Sequence, residues 1–271
     1  MDVGAVMSRL FDVEGRCAVV TGAGSGLGLA IAEVLADCGA RVTLADIDRG
    51  RLEEAAATLT ARGCDVRTAV TDVTEDDSVR ALFDGAQRTF GGLDIVFANA
   101  GITAVPGYAN EGGQELHTVA DEVWRRVLAV NLDGVLHTMR AAAAVMKAQG
   151  SGRIVVTAST AGLRADPMVC YGYAASKAAV INVAKQAALE LAPHGVHVNV
   201  IAPGPIKTRI GGGVTPESEK AWSALVPLGR MGDSEEIKGL ALLLASDAAS
   251  FITGAVVTID GGQLLGEPGG W

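Results

Sequence analysis

Tyr173 and Lys177 stand four residues apart, a spacing that supports acid–base chemistry if the segment is helical. Residues at i and i+4 share a helix face, with about 5–6 Å between their Cβ atoms. An ammonium so close stabilises the phenolate, so we expect the pKa of Tyr173 to fall from about 10 toward neutrality. A phenol tuned in this way can exchange a proton with an alcohol at cellular pH. Because amphipathic surface helices often carry the same spacing, the pair needs support from the rest of the chain.

Composition limits the classes of partner. The chain has 271 residues, a formal net charge of -9 and 49% hydrophobic residues, enough to bury the core of one large domain. An acidic chain without a basic run is a poor ligand for nucleic acid or anionic membrane, so we expect neither. Residues 1–14 lack an apolar signal core, and no run reaches the roughly 18 apolar residues of a membrane span. We therefore expect a cytoplasmic protein.

Cysteine and histidine spacing argues against a metal or disulfide framework. The four cysteines are scattered without a Cys-x-x-Cys motif, which is typical of reduced thiols. The four histidines show no metal-ligand spacing either. We therefore predict no metal site; the residues concerned are Cys17, Cys38, Cys64, Cys170, His117, His137, His194 and His197.

Apolar runs alternate with helical patterns along the chain. Residues 17–20 form a continuous apolar run, as in a strand buried on both faces, and a glycine-rich turn and a helical pattern follow. The same pattern predicts further strands at residues 41–46, 65–70, 93–98, 153–158, 196–201 and 255–259. One long helical region is expected over residues 120–149.

This alternation predicts an α/β fold: a single-domain, doubly wound (Rossmann-type) parallel sheet of about seven strands with helices on both faces. No linker or repeat divides residues 1–271, of which 1–14 form an N-terminal extension. Ligands of such folds bind at the carboxyl ends of the strands. Polar or turn residues follow six of the predicted strands: Thr21, Asp46, Asp72, Asn99, Ser159 and Pro203.

Gly22, Gly26 and Gly28 have the spacing G-x-x-x-G-x-G directly after the first strand. Glycines there permit a tight turn and a close approach of backbone to pyrophosphate, whose charge lies at a helix N-terminus. Ser25 could add a hydroxyl to the phosphates or ribose. A purely structural turn is the alternative, and the position after a buried strand favours a nucleotide.

Asp46 ends the second strand, where a carboxylate accepts hydrogen bonds from both ribose hydroxyls. The same carboxylate repels a 2′-phosphate, so NAD is expected rather than NADP. Asp46 could instead be a helix cap or an exposed turn residue, since Asp48 is near, and Arg49 could soften the repulsion. The glycine turn itself carries no basic residue.

Taken in order, the motifs resemble those of the short-chain dehydrogenase/reductase family. They are Thr21-Gly-x-x-x-Gly-x-Gly28, Asp72-Val73, Asn99-Ala-Gly101, Asn131, Ser159, Tyr173-x-x-x-Lys177 and Pro203-Gly204-Pro-Ile206-Lys-Thr208. The resemblance spans residues 15–262. Two departures lie outside the catalytic positions: Ala98 stands where many members have a second asparagine, and Thr157-Ala158 replaces a commoner serine pair.

The resemblance implies catalytic roles for four residues. Tyr173 would be the general acid/base, while Tyr171 has no lysine four residues on. Lys177 would bind the nicotinamide ribose and lower the pKa of Tyr173, and Ser159 would bind the substrate oxygen. Asn131 would hold a water that links Lys177 to solvent.

The resemblance also implies a set of cofactor contacts and a homotetramer. Asp72 and Val73 would flank the adenine, and Ile206 and Thr208 would meet the nicotinamide amide. The full set of expected cofactor residues is Gly22, Ser25, Gly26, Leu27, Gly28, Asp46, Ile47, Asp72, Val73, Asn99, Ala100, Gly101, Tyr173, Lys177, Pro203, Gly204, Ile206 and Thr208.

The function expected on these grounds is hydride transfer between NAD(H) and a secondary alcohol or ketone. Substrate contacts should come from residues 102–108, 160–168 and 206–225, with residues 203–226 as a lid. These stretches have few charges and suggest a cyclic, aromatic or steroid-like substrate; their apolar residues are Ile102, Val105, Leu163, Met168, Val169, Ile210, Trp222 and Leu225. The alternatives are an NADPH-dependent 3-oxoacyl reductase and a catalytically silent nucleotide-binding or scaffold protein.

Overall fold

A parallel sheet forms the centre of the structure, a computed structural model that describes residues 9–103 and 115–266. Seven strands lie in the order β3-β2-β1-β4-β5-β6-β9, and every neighbouring pair is parallel. This confirms the predicted sheet. The described strands are β1 (Cys17–Thr21), β2 (Arg41–Asp46), β3 (Val66–Val70), β4 (Ile95–Ala98), β5 (Gly152–Thr157), β6 (Val196–Pro203), β7 (Ile206–Lys207), β8 (Gly232–Asp233) and β9 (Val256–Ile259).

Helices cover both faces of this sheet. The described α-helices are α1 (Gly26–Asp37), α2 (Arg49–Ala61), α3 (Asp76–Phe90), α4 (Asp121–Leu128), α5 (Gly134–Gln149), α6 (Tyr171–Leu191), α7 (Pro216–Ala224) and α8 (Lys238–Ala245). Buried side chains of α1, α2 and α8 form one apolar cluster with the sheet, and those of α3, α5 and α6 form the other. The sheet is therefore shielded from water on both sides, as its apolar strands require.

Two features differ from the sequence pattern. The helix expected over residues 120–149 is divided into α4 and α5 by a π-helical turn, Ala129–Asp133. Such turns insert one extra residue per turn, and apolar periodicity does not reveal them. The parallel pair β7–β8 also escaped prediction, because each strand has only two residues.

Hydrogen bonds join the carboxyl ends of β1 and β4. The Thr21 hydroxyl oxygen accepts from the backbone N–H groups of Asn99 (3.0 Å) and Ala100 (3.2 Å), and the Asn99 amide donates to the Thr21 carbonyl (3.0 Å). Gly22, at φ +68, and Gly28 pack into this junction. A Cβ atom on Gly28 would lie 2.1 Å from the Gly22 carbonyl oxygen and 2.5 Å from the Asn99 amide nitrogen. The junction therefore requires glycine at position 28.

Within residues 9–103 and 115–266, we find no helix with the length and apolar character that crossing a membrane demands.

Gly28→Ala should lower the free energy of unfolding by about 1–3 kcal/mol, the usual range for overpacking, because the new methyl group meets backbone. Urea denaturation measures this difference. The control is Gly239→Ala in α8, where a Cβ atom meets nothing within 4 Å. That variant should be neutral or stabilised by up to about 1 kcal/mol, since alanine favours a helix. Equal stability of Gly28→Ala and the parent protein would contradict the packing described here.

Candidate active site

A cavity of about 660 Å³ opens at the carboxyl ends of the strands. Every cofactor residue expected from the sequence lines it, and so does Ser159. Asn131 does not line the cavity; it is fully buried behind the wall. One cavity therefore collects motifs that lie up to about 180 residues apart in the chain.

The glycine turn opens the N-terminus of α1 toward this cavity. Ser25 is the N-cap residue, and its side chain makes no capping hydrogen bond. Gly26 follows at φ +56, and Ser25, Gly26 and Leu27 all line the cavity. Backbone N–H groups at a helix N-terminus bind phosphate well. The residues here fit the pyrophosphate of a dinucleotide.

Two backbone hydrogen bonds hold the Asp46 carboxylate at the cavity. One carboxylate oxygen accepts from the Gly24 N–H (3.0 Å) and the other from the Asp48 N–H (3.0 Å). Arg51 lies beside it: a Cβ atom on Gly24 would be 3.0 Å from both the Arg51 Cβ and an Asp46 carboxylate oxygen. Arg51 lines the cavity and pairs with Asp48 at 3.1 Å. Arg51 is thus a basic residue near Asp46 that sequence reasoning missed, although its place in the first turn of α2 was an available signal. The effect of Arg49 stays a prediction.

The remaining cofactor residues are fixed by short-range contacts. Asp72 accepts from the Thr74 N–H (2.9 Å) and hydroxyl (2.7 Å), which orients its carboxylate at the end of β3. Gly204 donates its N–H to the Ile259 carbonyl (3.0 Å), and a Cβ atom there would lie 2.7 Å from the Asp260 Cβ. The loop after β6 is therefore anchored to the end of β9.

Lys177 is a buried cation at the base of the cavity. Its side chain projects from α6, only 3% of the residue is exposed, and Nζ donates to the Thr157 carbonyl at 2.8 Å. The same nitrogen lies 5.6 Å from the centroid of the Tyr173 ring. Burial lowers the pKa of Lys177 to about 8, because the ammonium loses water.

The pKa of Tyr173 moves against our expectation. Burial raises it to about 12; a hydrogen bond with Ser159 lowers it, and the nearby Cys170 and Asp166 raise it. The predicted fall toward neutrality is wrong for the protein as described, because loss of water from the phenolate outweighs every favourable contact. Ser159 is itself oriented by the Ala161 N–H, which donates to its hydroxyl at 3.1 Å.

Asn131 lies in the π-helical turn, and its side-chain amide forms hydrogen bonds with the Ile102 backbone. It accepts from the Ile102 N–H (2.8 Å), donates to the Ile102 carbonyl (2.9 Å) and contacts the Ser176 hydroxyl (3.3 Å). A Cβ atom on Gly101 would lie 3.4 Å from both the Asn131 Oδ1 and the Lys177 Nζ. The amide and the ammonium therefore flank Gly101. The water predicted at Asn131 stays a prediction.

Both apolar and charged residues line the cavity where the sequence predicts substrate contacts. Of the apolar residues expected there, Ile102, Val169, Ile210 and Trp222 line the cavity. Leu163, Met168 and Leu225 do not, and Val105, like the rest of residues 104–108, lies outside the described residues. Sequence reasoning missed Val130, Met231 and the charged residue Arg126, which also line the cavity. Asp166 and Arg209 line it too and fall within the expected stretches 160–168 and 206–225, which are described above as having few charges.

The described residues hold no cluster of three or more histidine, cysteine, aspartate or glutamate side chains that could bind a metal ion.

Comparison with known proteins identifies the family. A family model described as Enoyl-(Acyl carrier protein) reductase matches residues 22–263. The cis-4-hydroxycyclohexanecarboxylate dehydrogenase of Sinomonas cyclohexanicum is 40% identical over 91% of this chain and 96% of its own length. The cyclohexanol dehydrogenase of Acinetobacter sp. is 35% identical over 94% of this chain and 97% of its own length. The chain belongs to the short-chain dehydrogenase/reductase family and is an oxidoreductase.

Solved structures agree with this fold. A short-chain type dehydrogenase/reductase from Mycobacterium marinum has a TM-score of 0.88 and 38% identity, covering 95% of this chain and 98% of that one. A gluconate 5-dehydrogenase from Burkholderia cenocepacia, solved with NADP and tartrate, has a TM-score of 0.87 at 31% identity and covers 96% and 99%. A 3-ketoacyl-(acyl-carrier-protein) reductase from Brucella melitensis, solved with NADH, has a TM-score of 0.84 at 31% identity and covers 93% and 99%. The family uses a nicotinamide cofactor. Of the similar structures just described, one holds NADP and another holds NADH.

Burial of Lys177 makes stability depend on pH. The unfolded lysine keeps its ordinary pKa of 10.5, so between about pH 8 and 10.5 the unfolded chain binds more protons than the folded one. Stability contributed by this residue therefore rises with pH across that window, and below it the buried charge costs roughly 3 kcal/mol. Lys177→Met should remove this rise. Urea unfolding at about pH 7.5 and about pH 9.5 measures it, with exposed Lys185→Met on the same helix as the control. An identical pH dependence in all three proteins would refute the burial cost.

Proposed function

We propose that this protein transfers hydride between NAD(H) and a secondary alcohol or ketone, with an alicyclic or similarly apolar substrate. The observation that carries the proposal is the placement of Ser159, Tyr173 and Lys177 together at one cavity that also holds the glycine turn. In this reaction the nicotinamide ring, when bound, accepts a hydride from the carbinol carbon. The hydroxyl proton must leave at the same time, and a protein group must take it.

Tyr173 is the group that takes this proton, because its phenol lies at the cavity and hydrogen-bonds with Ser159. Ser159 shares the substrate oxygen and stabilises the charge that develops there. Lys177 supplies a positive charge 5.6 Å from the centroid of the phenol ring, which favours the phenolate without overcoming the effect of burial on its pKa. A phenol with a pKa raised to about 12 suits the donor role in ketone reduction. Alcohol oxidation requires the phenolate, so in that direction the pKa of Tyr173 would have to fall, and the positive charge of a bound oxidised cofactor would favour this fall.

The substrate class rests on the cavity and on two relatives. Ile102, Val169, Ile210 and Trp222 give the substrate end an apolar surface suited to a saturated ring. Both relatives are named for alcohols on a cyclohexane ring, and one of these substrates also carries a carboxylate. We therefore place alicyclic secondary alcohols ahead of aromatic and steroid alcohols.

Asp46 supports NAD as the preferred cofactor. Its carboxylate is fixed by two backbone N–H groups at the cavity and would repel a 2′-phosphate. Arg51 opposes this preference because a guanidinium beside Asp46 can pair with that phosphate. An NADPH-dependent 3-oxoacyl reductase is the competing function, and cofactor preference separates the two.

We also propose a lid, an oligomeric state and a cellular location for this enzyme. Residues 203–226 would close over the substrate as a lid on a single domain. The family resemblance supports a homotetramer, and the scattered cysteines, typical of reduced thiols, support a cytoplasmic location. A catalytically silent nucleotide-binding protein is disfavoured because the four expected catalytic residues are all present.

Reduction of NAD+ and NADP+, followed by absorbance with a panel of alicyclic, aromatic, steroid and polyol alcohols, tests the activity. Tyr173→Phe should lower kcat by at least about a hundredfold, because it removes the proton acceptor. Its cofactor dissociation constant should stay within about twofold, since cofactor contacts are spread over the cavity. Tyr171→Phe, two residues earlier and 47% exposed, is the control and should retain activity. Normal turnover by Tyr173→Phe would exclude the acid–base role; cofactor binding without turnover of any alcohol would favour the silent protein.

Asp46→Ala should move the preference toward NADP by about tenfold or more in the ratio of kcat/KM values, because a repulsive charge is lost. Arg51 is then free to bind the 2′-phosphate. The double variant Asp46→Ala, Arg51→Ala should lose most of that gain. If the preference is the same in the parent protein and Asp46→Ala, Asp46 does not select the cofactor.

A further inference from the structure

Gln263 is a buried amide next to the candidate active site. It begins a short turn, Gln263–Leu265, after β9, and the residue is 0% exposed. A buried amide is costly unless its polar atoms find partners. Here Oε1 accepts from the Thr160 hydroxyl at 2.9 Å, and Nε2 donates to a carboxylate oxygen of Asp166 at 3.3 Å.

Both partners of Gln263 belong to the segment that carries Ser159. Thr160 follows Ser159 directly and is the first residue of the turn Thr160–Gly162, which Ser159 caps. Asp166 lies on the far side of the same segment and lines the cavity. The amide therefore joins the two ends of the segment with one hydrogen bond to each.

Gln263 is also held from behind. A Cβ atom on Gly204 would lie 3.1 Å from its Oε1 and 2.8 Å from the Asp260 Cα. Asp260 accepts from the Gly262 and Leu264 N–H groups, each at 3.0 Å, and so fixes the turn that presents Gln263. The amide is thus part of a rigid wall and does not sit on a loose tail.

We propose that Gln263 is a positioning residue, which holds the Ser159 turn and the Asp166 carboxylate in the arrangement needed for proton transfer at Tyr173. The role rests on the function proposed above. Without this amide the Thr160 hydroxyl loses its acceptor, and the Asp166 carboxylate loses the Nε2 donor while it keeps the Met168 N–H at 2.9 Å. Either loss lets Ser159 or the carboxylate shift, and a displacement of about 1 Å at a reacting group can cost about a hundredfold in rate.

Charged and titratable groups face the cavity at Tyr173 from several elements. Lys177 comes from its own helix, Cys170 from the helix N-terminus and Asp166 from the Ser159 segment, while Arg126 of α4 and Arg209 line the same cavity. Asp166 disfavours the phenolate, so its exact position changes the pH at which Tyr173 accepts a proton. A merely structural glutamine would not affect that pH.

The first test compares Gln263→Met with Gln149→Met. Gln149 also makes two amide hydrogen bonds, both to the backbone of Leu93 and away from the cavity. Gln263→Met should lower kcat by about ten- to a hundredfold, with cofactor affinity within about twofold of the parent protein. Gln149→Met should keep kcat within about twofold. Equal kcat values for both variants and the parent protein would overturn the proposal.

Gln263→Glu separates positioning from packing. A protonated glutamic acid has the shape of glutamine and can donate to Asp166, whereas the ionised form repels it. Activity of Gln263→Glu relative to the parent protein should therefore fall as pH rises, while the relative activity of Gln263→Met should not show this fall. Parallel pH profiles for the two variants would indicate a packing role alone.

Amide hydrogen exchange of a peptide covering residues 157–166 supplies a readout that needs no turnover. Exchange there should be faster in Gln263→Met than in the parent protein and unchanged in Gln149→Met, because the Ser159 turn loses its anchor. Unchanged exchange in Gln263→Met refutes the positioning role whatever the activity. If the parent protein oxidises no alcohol but exchange is still faster in Gln263→Met, the positioning role stands and the proposed function is wrong.

Discussion

The buried ammonium of Lys177 is the constraint on which the site depends. Removing a charge from water is expensive unless hydrogen bonds replace the lost solvation. Here the Thr157 carbonyl at the end of β5 accepts directly from Nζ, and Gly101 approaches without a side chain. The start of α6, the end of β5 and the loop after β4 must therefore meet at one point. The same ammonium lies 5.6 Å from the centroid of the Tyr173 ring, so the fold also places a cation beside the phenol.

A second set of contacts fixes the glycine turn beside the loop after β4. The bonds between Thr21 and residues 99–100 tie β1 to β4 at the position where the strand order reverses. Gly22 and Gly28 allow the backbone to pack into that junction without steric conflict. Parallel sheets of this type bind ligands at such a reversal point, and the cavity lies there. Gly22, Asn99 and Ala100 therefore both hold β1 against β4 and line the cavity.

Much of this could be predicted from the sequence, and the reasons for the omissions are physical. Apolar runs followed by Gly22, Asp46 or Asn99 locate strands and their carboxyl ends, because a strand buried on both faces leaves a strong local signal. The π-helical turn around Asn131 leaves no such signal, since one extra residue barely disturbs the apolar pattern. The pKa of Tyr173 depends on burial by many residues at once, so a prediction made from one neighbouring lysine gave the wrong direction for the pKa shift. Gln263 depends on a contact across 103 residues, which no local pattern contains.

That long contact has a consequence for the order in which the chain becomes competent. Residues 17–103, which carry the glycine turn, Asp46 and Asn99, leave the ribosome long before Gln263 does. The anchor of the Ser159 turn is thus among the last parts of the site to be synthesised, and it lies near the end of β9, an edge strand of the sheet. All the expected cofactor residues are therefore made before this anchor. In the proposed enzyme, occupancy by cofactor would then be a poor measure of the active fraction among newly made molecules.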